Sequence, residues 1–282
     1  MWILALANVV LVTWDGVARE DFLDARRLPK FWSRRADGGL IVGGLSGPEM
    51  GIAVRPVSLP AYHSIFTGGP TSCAGNGCGR VDAETFPERL VRELSLPRTS
   101  VAAFASWARI ADAVEHAPGT ITVDAGPDGT SPPPPWLEAR RDADTFARAL
   151  RYLVERRPRF LYISLGDADQ WGHRGDLARY RATLSLYDEW LDILLRRLKT
   201  LGAYTVVVTT DHGRGAGERW TGHDDAHARS IWLFAQGPGV KAGSAKRPAT
   251  HLDIRPTIEA LFGLCSVRAP IEEIAVRACG PR

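Results

Sequence analysis

Short runs of apolar, β-branched and aromatic residues recur at 8–14 (NVVLVTW), 101–105 (VAAFA), 159–164 (RFLYIS), 204–210 (YTVVVTT) and 231–235 (IWLFA). Several of them give way to Asp, Gly or Ser, and runs of this length and composition predict buried strands that end in polar loops. Between them lie amphipathic patterns, TFPERLVRELS, DADTFARALRYLVERR and DLARYRATLSLYDEWLDILLRRLKTLG. The last has apolar residues at spacings of three and four and closes on a Gly, which predicts a long helix with a C-terminal stop. Strand and helix in alternation predict an α/β fold with a mostly parallel central sheet covered on both faces, a three-layer α/β/α sandwich. Ligands of such sheets sit outside the carboxyl ends of the strands, so the residues just after each run carry the chemistry.

The chain has 282 residues, 45% hydrophobic and 24% charged, an ordinary globular profile. That length can bury a sizeable core, and we expect one domain over 1–282 with a cap or insertion at about 70–150. The Gly- and Pro-rich stretch HAPGTITVDAGPDGTSPPPPW (116–136) reads as a surface loop or part of that cap. A net charge of +3 favours anions slightly, but Lys and Arg alternate with Asp and Glu, so nucleic acid is not indicated as a partner. The start, MWILALANVVLVTWDG, lacks a basic leader and a small-x-small cleavage site, which predicts a buried first strand and a cytoplasmic protein. No run approaches the roughly 20 apolar residues that cross a bilayer. Cys73, Cys78, Cys265 and Cys279 form no CxxC pair. Free thiols are expected at 73 and 78, although the two could close a small loop.

Metal-ligand residue types follow the predicted strands. Asp15 ends the first run, Asp169 and His173 stand at i, i+4 in DADQWGH, Asp211 and His212 are adjacent in TTDHGRG, and His223 lies in TGHDDAH, four residues before His227. An Asp before Gly is commonly a turn residue, and an i, i+4 Asp–His pair is commonly a surface hydrogen bond. Asp211-His212 resists that reading, because the tip of so apolar a run faces a cleft. Carboxylates and imidazoles together suit a mixed N/O site for zinc or manganese, not an all-oxygen calcium site or a thiolate site.

Taken in order, VVLVTWDG, SLPAYHSIFTG, DADQWGH, TTDHGRG, GHDDAHARSIWLFAQGPGV and HLDIRPTIEALFG resemble the alkaline phosphatase superfamily, especially its phosphodiesterase/nucleotide pyrophosphatase and sulfatase-like branches. The resemblance spans most of the chain and is loose from about 74 to 150. It implies two divalent ions, zinc or in its place manganese. Asp15, Asp211 and His212 match the ligands of one, and Asp169, His173 and His223 those of the other. Ser58 matches the metal-bound nucleophile, and the chemistry implied is hydrolysis of a small phosphoric ester through a phosphoserine. Asn76 and Arg80, in the loop GGPTSCAGNGCGR, are the candidates for substrate binding. Ser58-Leu-Pro-Ala-Tyr also resembles the sulfatase signature, but Tyr62 stands where that signature has the arginine needed for formylglycine. The alternatives are a sulfatase or phosphonate hydrolase, or a non-catalytic binding relative. The span between Ser58 and Asp169 is too short for the inserted domain of a cofactor-independent mutase.

Overall fold

The computed structural model describes residues 7–34, 37–45, 47–129, 134, 136 and 138–274. Residues 1–6, read above as the start of the first strand, and Cys279 lie outside them. In chain order the strands are β1 (Asn8–Trp14), β2 (Leu40–Val42), β3 (Met50–Gly51), β4 (Val101–Ala105), β5 (Thr122–Ala125), β6 (Phe160–Leu165), β7 (Tyr204–Thr209), β8 (Ser230–Ile231), β9 (Leu233–Gln236), β10 (Gly243–Ser244) and β11 (Ala249–Thr250). Eight of them form one sheet in the order β10-β2-β9-β7-β1-β6-β4-β5, in which β9 alone runs against the rest. A small second sheet joins β11, β3 and β8.

Side chains alternate across a strand, and in β1 both sets are apolar, so both faces must be covered. Val9 and Leu11 enter a core with Leu59, Tyr62, Ile65 and Phe66 of the helix Ser58–Thr67 and with Ile254 and Ile258 of the helix Ile254–Leu261. Val10, Val12 and Trp14 enter a second core with Phe146 and Leu153 of the helix Asp142–Arg156 and with Tyr180, Leu184 and Tyr187 of the helix Leu177–Leu201. These two cores and the sheet between them make the α/β/α sandwich.

Local chemistry sets the helix ends. Asp176 accepts the Arg179 N–H at 3.0 Å to start the 177–201 helix, and Gly202 ends it at φ 115°, a conformation open to Gly. Thr85 and Glu88 form a reciprocal capping box at the helix Phe86–Glu93. The 116–136 stretch is not all loop: Thr122–Ala125 pairs with β4 as the edge strand β5. A four-residue edge strand, half-buried throughout, shows no hydrophobic alternation for a sequence reading to detect. The free thiols expected at 73 and 78 are also corrected, because Cys73 and Cys78 are joined in a disulfide with their Cα atoms 5.6 Å apart, and Cys265 is disulfide-bonded as well. No helix among the described residues is long and apolar enough to cross a membrane.

Candidate metal centre

Strands β6, β1 and β7 lie side by side in parallel register, with Thr13 opposite both Ser164 and Thr209. Their carboxyl ends therefore deliver Asp15, Asp169 and the Asp211-His212 pair to one place. Ser58, the first residue of its helix, faces this cluster: its Oγ lies 3.4 Å from Asp15 Oδ1 and 3.2 Å from His212 Nε2. One turn further on the same helix face, Tyr62 donates its hydroxyl to Asp15 Oδ2 at 3.0 Å.

Asp169 and His173 occupy the short helix Asp167–His173, and the i, i+4 spacing brings His173 Nε2 to 3.2 Å from Asp169 Oδ2. His223 completes the cluster, its ring centroid 5.1 Å from that of His173 and 4.1 Å from that of His212. Backbone carbonyls orient two of these imidazoles. His223 Nδ1 donates to Pro56 O and His212 Nδ1 to Gly213 O, so that in the neutral form of each ring Nε2 carries the lone pair.

Among the described residues, two groups have ligand atoms within 4.8 Å of one another: Asp169, His173 and His223; and Asp15, Asp169 and His212. Asp169 stands in both groups, and Asp211, matched to the first ion by resemblance, is in neither. Asp211 sits just behind, accepting the Gly16 N–H at 3.1 Å through Oδ1. Gly16 has φ +63°, and a Cβ there would come within 2.4 Å of Asp169 Oδ1, so this turn excludes a side chain.

The electrostatics test whether a cation fits. Burial, followed by the charges of Asp211 and Asp169, raises Asp15 well above the usual carboxylate range, and burial also raises Asp211. Burial works against ionisation of Asp169 too, yet its hydrogen bond with His173 and the nearby charges of His212, His173 and Arg214 hold it well below that range. His173 is raised by its bond to Asp169, and His223 is pushed down to about 4 by burial, with help from His212. Asp211 Oδ2 is buried without a hydrogen bond, 3.4 Å from His212 Nε2. Three crowded carboxylates against one guanidinium, an orphaned carboxylate oxygen and imidazoles with inward lone pairs form a donor set that fits divalent cations.

A cavity of about 240 Å³ opens in front of Ser58, lined also by Asn76, Ser106, Trp107, Trp136, Asp167 and Gln170. Asn76, one of the two candidates for substrate binding, lines this cavity, whereas Arg80 does not. The Arg80 guanidinium is held by the carbonyls of Ala111 and Glu115 and by Asp112. His227 stays outside the cluster, with Nδ1 on Arg214 O at 2.9 Å and Nε2 3.4 Å from Glu20. Sequence reasoning missed Arg214, whose Nη1 lies 2.6 Å from Asp169 Oδ1, and the link from Tyr62 to Asp15. Their signals were an arginine directly after Asp-His-Gly and a tyrosine one turn from Ser58.

Residues 136–265 match the family model described as "Metalloenzyme superfamily". The fold matches a Vibrio parahaemolyticus protein of the alkaline phosphatase superfamily, with a TM-score of 0.65 at 15% identity over 92% of this chain and 67% of that one. This chain has the fold of the alkaline phosphatase superfamily. Other superfamily structures align over nearly its whole length. A 2-O glycosaminoglycan sulfatase gives a TM-score of 0.64 at 16% identity over 96% of this chain and 73% of its own. A murine ectonucleotide pyrophosphatase/phosphodiesterase solved with AMP gives 0.61 at 13% identity over 94% and 97%. In sequence the chain is similar to phosphopentomutases of Pectobacterium carotovorum subsp. carotovorum (strain PC1), 39% identical over 95 residues, and Allorhizobium ampelinum, 36% over 98. Those stretches are 33% and 35% of this chain, and they span only 22% and 23% of the relatives' length. Members of the superfamily act on phosphoryl or sulfuryl groups.

Proposed function

We propose that the protein is a hydrolase of small phosphoric esters, monoester or diester, in which Ser58 is the nucleophile. The observation that carries this reading is the place of Ser58 Oγ, 3.2 Å from His212 Nε2 and 3.4 Å from Asp15 Oδ1, at a helix N-terminus that opens on the cavity. Divalent cations, zinc or else manganese, held by Asp15, Asp169, His173, Asp211, His212 and His223 would supply the charge that keeps the Ser58 hydroxyl deprotonated and neutralises the transferred group. The chain's own residues do the rest. Ser58 Oγ attacks phosphorus in line, the ester oxygen leaves, and the phosphoserine is hydrolysed by water to regenerate the hydroxyl. Tyr62 holds Asp15 in place, and Arg214 holds Asp169. Asn76 offers its side-chain amide to the phosphoryl oxygens, while Trp107 and Trp136 wall the part of the cavity that takes the leaving group.

Sulfuryl transfer is the second reading, because sulfatases share the fold. Tyr62 speaks against it: in place of the signature arginine it presents a hydroxyl bonded to Asp15. We take 1–282 as a single catalytic domain with a cap or insertion at about 70–150. The cytoplasmic location expected from the sequence rested on the lack of a leader and of a cleavage site. With Cys73 and Cys78 joined, we propose an oxidising compartment in its place. A panel of aryl phosphate monoesters and diesters, phosphonates and sulfates, assayed with zinc and with manganese, tests the function. Phosphate esters should turn over fastest and peptide 57–69 should carry unmodified serine. Preference for sulfates, or formylglycine at 58, overturns the reading.

A further inference from the structure

We propose that the Cys73–Cys78 disulfide is a positioning element of the active site: it holds Asn76 as the cap of the helix that carries Ser58. The inference rests on the reading above only for the role of Asn76 toward substrate.

A helix leaves its first N–H groups without partners, and a Ser, Thr, Asp or Asn just before it usually accepts one of them. The helix Ser58–Thr67 has Val57 in that place and no cap from that residue's side chain. Ser58 itself is turned toward Asp15 and His212. The missing acceptor comes from elsewhere in the chain: Asn76 Oδ1 takes the Leu59 N–H at 3.0 Å. The amide is thereby oriented, since its oxygen is committed to Leu59 and its NH₂ remains as the donor group on a residue that lines the Ser58 cavity.

Little in the loop's own sequence fixes Asn76 there. It stands between Gly75 and Gly77 with Gly79 close by, and a Cβ at any of the three would meet nothing within 4 Å. Such a backbone is free to spread over many conformations. The covalent bridge closes a ring around it, and Cys78 N to Gly75 O at 3.2 Å and Cys73 N to Thr71 Oγ1 at 3.0 Å complete the turn. Arg109 anchors the far end through the Cys78 carbonyl. The metal-type residues come from other elements, so opening the ring releases Asn76 without touching them.

The test compares wild type, Asn76→Ala, Cys73→Ser/Cys78→Ser and the triple variant. In substrate-free protein, amide hydrogen exchange at Leu59 should speed up about tenfold or more in all three variants, while circular dichroism and bound zinc stay as in wild type. With an aryl phosphate ester, KM should rise about tenfold in each variant with a smaller change in kcat, and Asn76→Ala should add nothing once the bridge is gone. Reduction of folded wild type gives the same comparison without substitution. A dithiol passes two electrons and two protons to the bridge, leaving two thiols and closing its own ring; KM should rise in wild type and not in the double serine variant. Unchanged Leu59 exchange in the double serine variant, or additive effects of Asn76→Ala, overturns the proposal. The exchange readout needs no turnover, so failure of every ester while Leu59 responds would sink the proposed function and leave the clasp standing.

Discussion

Arg214 lays Nη1 2.6 Å from Asp169 Oδ1, with both side chains buried, and donates Nη2 to the carbonyl of Thr221 at 2.8 Å. One guanidinium thus fixes the carboxylate common to both ligand groups and the turn that leads to His223. The backbone has made room for it: a Cβ on Gly172 would fall 2.4 Å from Arg214 Cζ.

Removing one partner of a buried ion pair leaves the other uncompensated. Arg214→Met should therefore lower the stability of metal-free protein by about 3 kcal/mol in urea unfolding. It should also weaken zinc binding by about 10- to 100-fold, since the carboxylate loses its orienting partner. Unchanged zinc affinity by competition with a chelator would confine Arg214 to a stabilising role.

Ser58→Ala should abolish turnover of aryl phosphate esters while the protein stays folded and binds metal, because the Ser58 hydroxyl lies against both Asp15 Oδ1 and His212 Nε2. Ser64 lies buried on another face of the same helix, and Ser64→Ala should be mild. Near wild-type rates from folded Ser58→Ala protein would remove Ser58 from the mechanism.

His223→Ala should lower bound metal from about two ions per chain toward one and remove most activity. His227→Ala should leave both nearly intact, because that ring is tied to Arg214 O and Glu20. Metal analysis of the two purified variants decides, and the reverse pattern would move the ligand role to His227.

His251 carries a pH dependence separate from the site. Burial pushes it down to about 4, and its Nδ1 accepts the Ala53 N–H at 3.2 Å, which requires the neutral ring. The unfolded chain, with an ordinary imidazole, takes up the proton first as pH falls. Stability should be complete above about pH 6.5 and decline toward pH 4, by up to about 3 kcal/mol. Urea midpoints of wild type and His251→Gln across that range test this, and equal slopes would refute it.

Five of the main-sheet strands were legible because they are unbroken apolar runs that give way to polar loops. Strands β2, β3, β8, β10 and β11 hold two or three residues each and exist only through tertiary pairing, so the local pattern does not announce them. The candidate ligand residues Asp15, Asp211 and His212 were legible from their place at strand ends. Burial was not: Arg214 reads as one loop charge among many, and Tyr62 registers only as a missing arginine. Asp169 belongs to both groups by distance alone. Arg80 looked suited to an anion because it follows a Gly-rich loop, but the carbonyls around the helix Ile110–Val114 capture it first.

The position of β1 has a further consequence for how the chain is made. Its partners are β6 and β7, with Val9 opposite Phe160 and Asn8 opposite Tyr204, so once made this strand waits for segments near residues 160 and 204. At about 5–20 residues per second that wait is on the order of ten seconds or more. Through it Val9, Val10, Leu11 and Val12 have neither edge paired, the condition under which strands join the wrong neighbour. The hazard for this protein therefore lies in its synthesis more than in its finished state. Asp15, at the tip of β1, reaches the other ligands only when the sheet closes around it.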